Sequence, residues 1–145
     1  MRLYLVHHAE ALPPEIDPQR PLSPSGLAHA DRLARAAAAR GVRPEIIWHS
    51  GKLRARQTAE AFLRHCNPLA AMSAQRGLQP DDAPKLFCEL LAAAGTDELL
   101  AAGHFPHLER LRASLDPSGS PFPAHGLVAL DGEGTSWREL WRLEG

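Results

Sequence analysis

Apolar residues along the chain fall into short runs separated by longer stretches of helical period, and the runs end at small residues or histidines. Residues 3–6 (Leu-Tyr-Leu-Val) stop at His7-His8-Ala9-Glu10, ahead of a proline-broken stretch over 13–24, which reads as a buried strand followed by a loop. Ser23 before Pro24 is an N-cap followed by a first-turn proline. Leu27, Ala30, Leu33, Ala34 and Ala37 then share one helical face until Gly41 stops the helix. Ile46, Ile47 and Trp48 make a second strand ending at Ser50-Gly51. Residues 52–65 follow with helix-forming composition and no internal Gly or Pro, with Ser50 as the expected cap. The pattern over 66–80 is weak, with room for one short strand.

Asp82 is placed to cap a helix over 83–94, with Leu86, Phe87, Leu90 and Leu91 inward and Gly95 beyond its end. A run over 99–102 ends at Gly103-His104, and Pro106 opens a helix carrying Leu108, Leu111 and Leu115 that Asp116-Pro117 breaks. After a Pro/Gly/Ser loop, residues 127–130 form a strand, while 137–143 fit a strand or a helical turn equally well. Alternating strands and helices predict an α/β fold of three layers: a mostly parallel central sheet with helices on both faces. At 145 residues, the expectation is one domain over 1–145.

Composition narrows the function classes. The formal charge is -1, with 16 Lys plus Arg against 17 Asp plus Glu, so no basic excess exists to displace counterions from nucleic acid or to engage anionic lipid. No apolar run approaches the length of a membrane span, and the N-terminal run is too short for a secretory leader. Cys66 and Cys88 form no Cys-x-x-Cys motif, which favours core thiols in a reducing compartment. A cytoplasmic monomer that binds neither nucleic acid nor membrane is the expectation.

Ligands of open α/β sheets bind beyond the carboxyl ends of the strands. The residues there are His7-His8, Ser50-Gly51 and Gly103-His104, and the second turn feeds a helix whose first turns carry Lys52, Arg54 and Arg56. A helix N-terminus attracts anions, and an arginine adds bidentate bonds to phosphoryl oxygens. A deprotonated imidazole in such a pocket is a nucleophile toward phosphorus. This outlines a phosphate pocket that needs no metal or other cofactor. Lys52 and Arg56 read as solvated helix residues. His7, His8, His49 and His104 raise a metal reading, but no carboxylate or cysteine completes a ligand spacing, so none is expected. His29, His65, His107 and His125 show no pattern, and Trp48, Trp137 and Trp141 read as packing residues.

The strings LYLVHHAEA, RPLSPSG, SGKLRARQTAE and AAGHFPHLERL resemble, in order, the motifs of the histidine phosphatase superfamily, and in particular its small SixA-type phosphohistidine phosphatases. The resemblance implies a phosphoglycerate-mutase-like fold. It also implies His8 as the phosphorylated nucleophile, Arg54 as a phosphate contact, His104 as the second catalytic histidine and Arg20 as a residue near the pocket. Ser50, beside Arg54, offers its backbone to the same pocket. The implied substrate is phosphohistidine on a signalling protein such as a phosphotransfer domain. A small phosphorylated molecule is the alternative, as is a module that binds phosphate without turning it over.

One position departs from the family: His7 stands where it carries arginine, which removes a permanent charge and a five-donor fork. A free imidazole is roughly a quarter protonated at pH 7, so His7 is expected to act as a part-time cation and to lower the pKa of His8 beside it. The carboxylates near enough in sequence to serve as a general acid are Glu10, Asp81 and Asp82. A weak acid suits phosphohistidine, whose P–N bond is labile.

Overall fold

The computed structural model describes residues 1–145. Its elements are β1 (Arg2–His7), α1 (Pro24–Ala39), β2 (Ile46–His49), α2 (Leu53–Cys66), β3 (Ala71–Ala74), α3 (Pro84–Ala93), β4 (Glu98–Gly103), α4 (His107–Leu115), β5 (Leu127–Glu133) and β6 (Ser136–Leu143). One sheet of six strands runs in the order β3-β2-β4-β1-β5-β6. The first four strands in that order are mutually parallel, whereas β5 runs antiparallel to β1, and β6 antiparallel to β5.

The continuous apolar runs of β1 and β4 follow from burial on both faces. Tyr4, Val6, Leu100 and Ala102 pack on one side against Ala30, Leu33, Ala34 and Ala37 of α1 and Ala59 and Phe62 of α2. Leu3, Leu5, Leu99 and Ala101 point to the other side, against Phe87 and Leu91 of α3 and Leu108, Leu111 and Leu115 of α4. The result is the expected three-layer α/β/α architecture. No helix is long and apolar enough to cross a membrane.

Several local expectations are corrected. Leu27 faces solvent, and Gly26 takes its place on the buried side of α1 because the backbone of Glu10 runs directly over it. On α3 only Phe87 and Leu91 are buried; Leu86 is exposed and Leu90 half-buried, since α4 covers one row of that helix. The N-caps of α2 and α3 are Lys52 and Ala83, neither with a side-chain bond, while Asp82 accepts from the Gln79 N–H at 2.9 Å and closes the preceding turn. The weak pattern after Cys66 hides β3, an edge strand whose side chains are largely exposed and carry no burial signal. The ambiguous stretch over 137–143 is strand. Of the two thiols, Cys66 is buried and Cys88 half-buried, and both are free.

Candidate active site

Because β2, β4 and β1 are neighbours, their carboxyl ends deliver Ser50, His104 and the His7-His8 pair to one place on the sheet edge. The rings of His8 and His104 face each other with centroids 5.1 Å apart, inclined by 57°. His8 Nδ1 lies 2.7 Å from the Ala9 carbonyl oxygen. A carbonyl only accepts, so the ring proton sits on Nδ1 and the lone pair on Nε2. The same Ala9 donates its N–H to Thr58 Oγ1 at 3.1 Å, and the Thr58 hydroxyl donates to the Arg54 carbonyl at 2.9 Å. The loop after β1 is thereby tied to the first turns of α2.

Ser50 acts differently from expectation: instead of capping α2 it holds an imidazole. Its Oγ is 2.6 Å from His104 Nε2 and accepts from the Lys52 N–H at 3.3 Å. His104 Nδ1 and Arg54 Nε are buried without a partner. Buried polar atoms cost stability unless satisfied, so two orphans in one site mark a place built for another polar group. Arg20 Nε donates to the Leu12 carbonyl at 3.0 Å, and its backbone has φ 49°. Its charge reaches both His8 and Arg54. His8, His104, Ser50, Arg54 and Arg20 are thus brought together, while Lys52 and Arg56 stay exposed at the start of α2.

Burial holds these imidazoles neutral. His8 is pushed down to about 4, chiefly by desolvation, against a raising effect of the Ala9 bond and with Arg54 adding to the fall. His104 is pushed down to about 3 by desolvation and then by His8 and Arg54. At pH 7 both carry a lone pair.

His7 corrects an expectation. It is 8% exposed, sandwiched between Phe105 (4.0 Å, 13°) and His125 (4.7 Å, 10°). Its Nδ1 accepts from the His125 backbone N–H at 2.7 Å. That bond requires a lone pair on Nδ1, and burial pushes the ring down to about 3, so His7 is a neutral Nε2–H donor rather than a part-time cation.

His125 was not expected near the site. It precedes β5, and because β5 is antiparallel its amino end lies at the edge where the parallel strands have their carboxyl ends. The direction of that strand was the missing signal. Ring nitrogens of His7, His8 and His125 come within 4.8 Å of one another. A metal would need a lone pair from each, and His7 could offer one only by giving up its bond to the His125 N–H. His49 belongs elsewhere: its Nδ1 accepts from the Gly51 N–H at 3.0 Å. Among the carboxylates, Glu10 accepts from the Ser23 and Ser25 hydroxyls at 2.8 and 3.0 Å, bonds that hold it below its ordinary pKa and make it a poor proton donor.

The chain matches the family model of the histidine phosphatase superfamily, branch 1, over residues 3–79. It belongs to that superfamily. The matched stretch of this histidine phosphatase contains His7, His8, Arg20, Ser50 and Arg54. Among solved structures, the protein histidine phosphatase SixA complexed with tungstate superposes with a TM-score of 0.88 at 23% identity, covering 99% of this chain and 97% of that one. A SixA-type protein from Agrobacterium tumefaciens gives a TM-score of 0.80 at 30% identity over 99% and 97% of the two chains. A mycobacterial glucosyl-3-phosphoglycerate phosphatase complexed with VO3 gives 0.72 at 17% identity, covering 97% and 98%. No curated protein sequence matches the chain.

Proposed function

We propose that this histidine phosphatase hydrolyses phosphohistidine on a signalling protein, through a phosphoenzyme formed on His8. The supporting observation is the state of His8: neutral, its Nδ1–H given to the Ala9 carbonyl, its Nε2 lone pair free, with His104 across from it. In the first step Nε2 attacks phosphorus as the P–N bond to the substrate imidazole breaks, and that nitrogen takes up a proton from solvent water. In the second, water attacks phospho-His8, the P–Nε2 bond breaks, and inorganic phosphate leaves with His8 regenerated. Arg54, Arg20 and the N–H groups of His7 and His104 meet the phosphoryl oxygens, whose charge changes most in the transition state. Ser50 holds His104 in orientation. No metal enters either step.

The leaving imidazole becomes neutral on protonation and departs more readily than an alkoxide. A site whose nearby carboxylate Glu10 is held ionised by two serines therefore suits a phosphoramidate better than an alkyl phosphoester. Likeness to the SixA structures supports the same substrate class.

The test is to incubate wild type and His8→Asn with a phosphohistidine phosphotransfer protein and with a phosphomonoester, following phosphate release and acid-quenched mass spectra. Label on His8 and faster turnover of the phosphohistidine protein are expected. Preference for the ester would replace the substrate, and a wild type that binds phosphate without acquiring it would make this a binding module.

A further inference from the structure

Three histidine rings converge at the carboxyl end of β1, and their hydrogen bonds sort them into different roles. His7 and His8 are committed as neutral rings: His7 accepts a backbone N–H at Nδ1, and His8 keeps its Nε2 lone pair for phosphorus. His125 is different. Its Nδ1 lies 2.7 Å from the His8 carbonyl oxygen, so Nδ1 carries a proton in either charge state, and Nε2 can gain one without breaking any bond the ring makes. It is half-buried, open to solvent on one side, and stacked on His7 with an edge toward His8 at 6.1 Å.

A phosphoryl group brings about two negative charges, and Arg54 and Arg20 are the permanent cations whose fields reach His8. With His7 neutral, the rim of the site on the β5 side has no fixed positive charge. A nitrogen of the His125 ring lies within 4.8 Å of one on His7 and one on His8, which places this ring at the same corner of the site. We propose that His125 is a phosphate-binding residue whose imidazolium supplies the charge that position 7 does not, so that this histidine phosphatase binds its anion more tightly as His125 takes up a proton. The proposal rests on the phosphate-site reading above.

The groups facing His125 allow this. His7 and His8 approach from β1, the Glu10 carboxylate just beyond it, and His29 from α1 at 6.5 Å, edge to face. Glu10 is held ionised by its two serines and so attracts the imidazolium. His29 is itself pushed down by desolvation and by Arg32, which disfavours a second cation beside it. The backbone of residue 125 has φ 55°, a region that asparagine tolerates. His125→Asn therefore keeps a donor for the His8 carbonyl while removing the imidazole.

Sulfate is the probe, because it stays a dianion across the range studied. Its binding to the full chain is measured at pH 5.5 and 8.5 by isothermal titration, and the His125 ring is followed by NMR with and without sulfate. Wild type should bind sulfate several-fold and up to about tenfold tighter at pH 5.5 than at pH 8.5, and sulfate should shift the His125 ring resonances. His125→Asn should lose that pH dependence, and His7→Arg combined with His125→Asn should regain tight binding at both pH values. Sulfate binding that is tight but equal at both pH values, with His125 unmoved, overturns the proposal and leaves the site reading standing. Failure of sulfate to bind wild type, or binding undiminished in Arg54→Ala, overturns the site reading itself.

Discussion

Acid should unfold this protein early, and the three buried histidines of the candidate site set the pH. His7, His8 and His104 are pushed down to about 3, 4 and 3 in the folded chain, with desolvation the leading cause, against an ordinary value near 6.5 once unfolded. A base with a lowered folded pKa binds its proton more readily in the unfolded chain. Stability is therefore complete above pH 6.5 and falls as pH drops from there toward 4. At pH 5 each ring costs roughly 2 kcal/mol by linkage. The rings also repel one another in pairs, so the three contributions overlap, and the expected loss is about 4 kcal/mol. That is comparable with the whole stability of an ordinary domain, about 5–15 kcal/mol. His29, His49 and His107, also pushed down by burial, act in the same direction. Urea unfolding at pH 8, 7, 6 and 5 reads the effect directly, with a slope of about 1.4 kcal/mol per pH unit for each proton taken up. Near pH 5 about two to three protons are expected, falling by about one in His7→Phe. A stability that stays flat between pH 7 and 5, or a slope unchanged in His7→Phe, would refute the reasoning.

Other substitutions test the surrounding framework. Gly26→Ala should destabilise by about 1–3 kcal/mol, although alanine is the better helix former, because the added Cβ would stand 2.0 Å from the Glu10 carbonyl oxygen. Turnover should fall with it, since Glu10 lies two residues beyond His8; a higher urea midpoint would contradict the packing argument. His107 is fully buried with both ring nitrogens unpartnered, so His107→Leu should raise stability by about 1–2 kcal/mol at pH 7 and more at pH 5, read as a shifted midpoint at constant slope. Ser50→Ala removes the hydroxyl that holds His104 and should lower kcat by roughly three- to tenfold with KM changed less, the worth of one hydrogen bond. An unchanged kcat would remove Ser50 from the site.

The layers and the site were legible to different degrees, for physical reasons. Strands buried on both faces write continuous apolar runs into the sequence, so β1, β2 and β4 could be read with the histidines and serine at their carboxyl ends. Edge strands bury little: β3 was invisible because solvent takes most of its side chains, and β6 ambiguous because none of its side chains is fully buried. Helix faces were legible where a second helix covers them and misread at Leu27 and Leu86, where none does. Within the site, His8, His104, Arg54, Ser50 and Arg20 lie where strand ends and motif order put them. The charge of His7 was misjudged because it depends on Phe105 and His125, which reach it from distant parts of the chain. His125 escaped because the rule for ligand sites looks past the carboxyl ends of parallel strands and is blind to the amino end of an antiparallel one.

The central place of β1 in the sheet has a consequence for how the molecule comes into being. β1 pairs with β4, Arg2 opposite Glu98, and with β5, Arg2 opposite Asp131, so both of its neighbours lie far along the chain from it. Contacts of such long sequence separation slow folding, because the loop must close before its pairing is rewarded. The apolar β1 thus stays unpaired until β4 and β5 have been made, exposed to chaperones and to other nascent chains. The proposed nucleophile, His8, meets His104 and His125 only when β4 and β5 have docked beside β1, so a chain cut short before β5 would lack the assembled site.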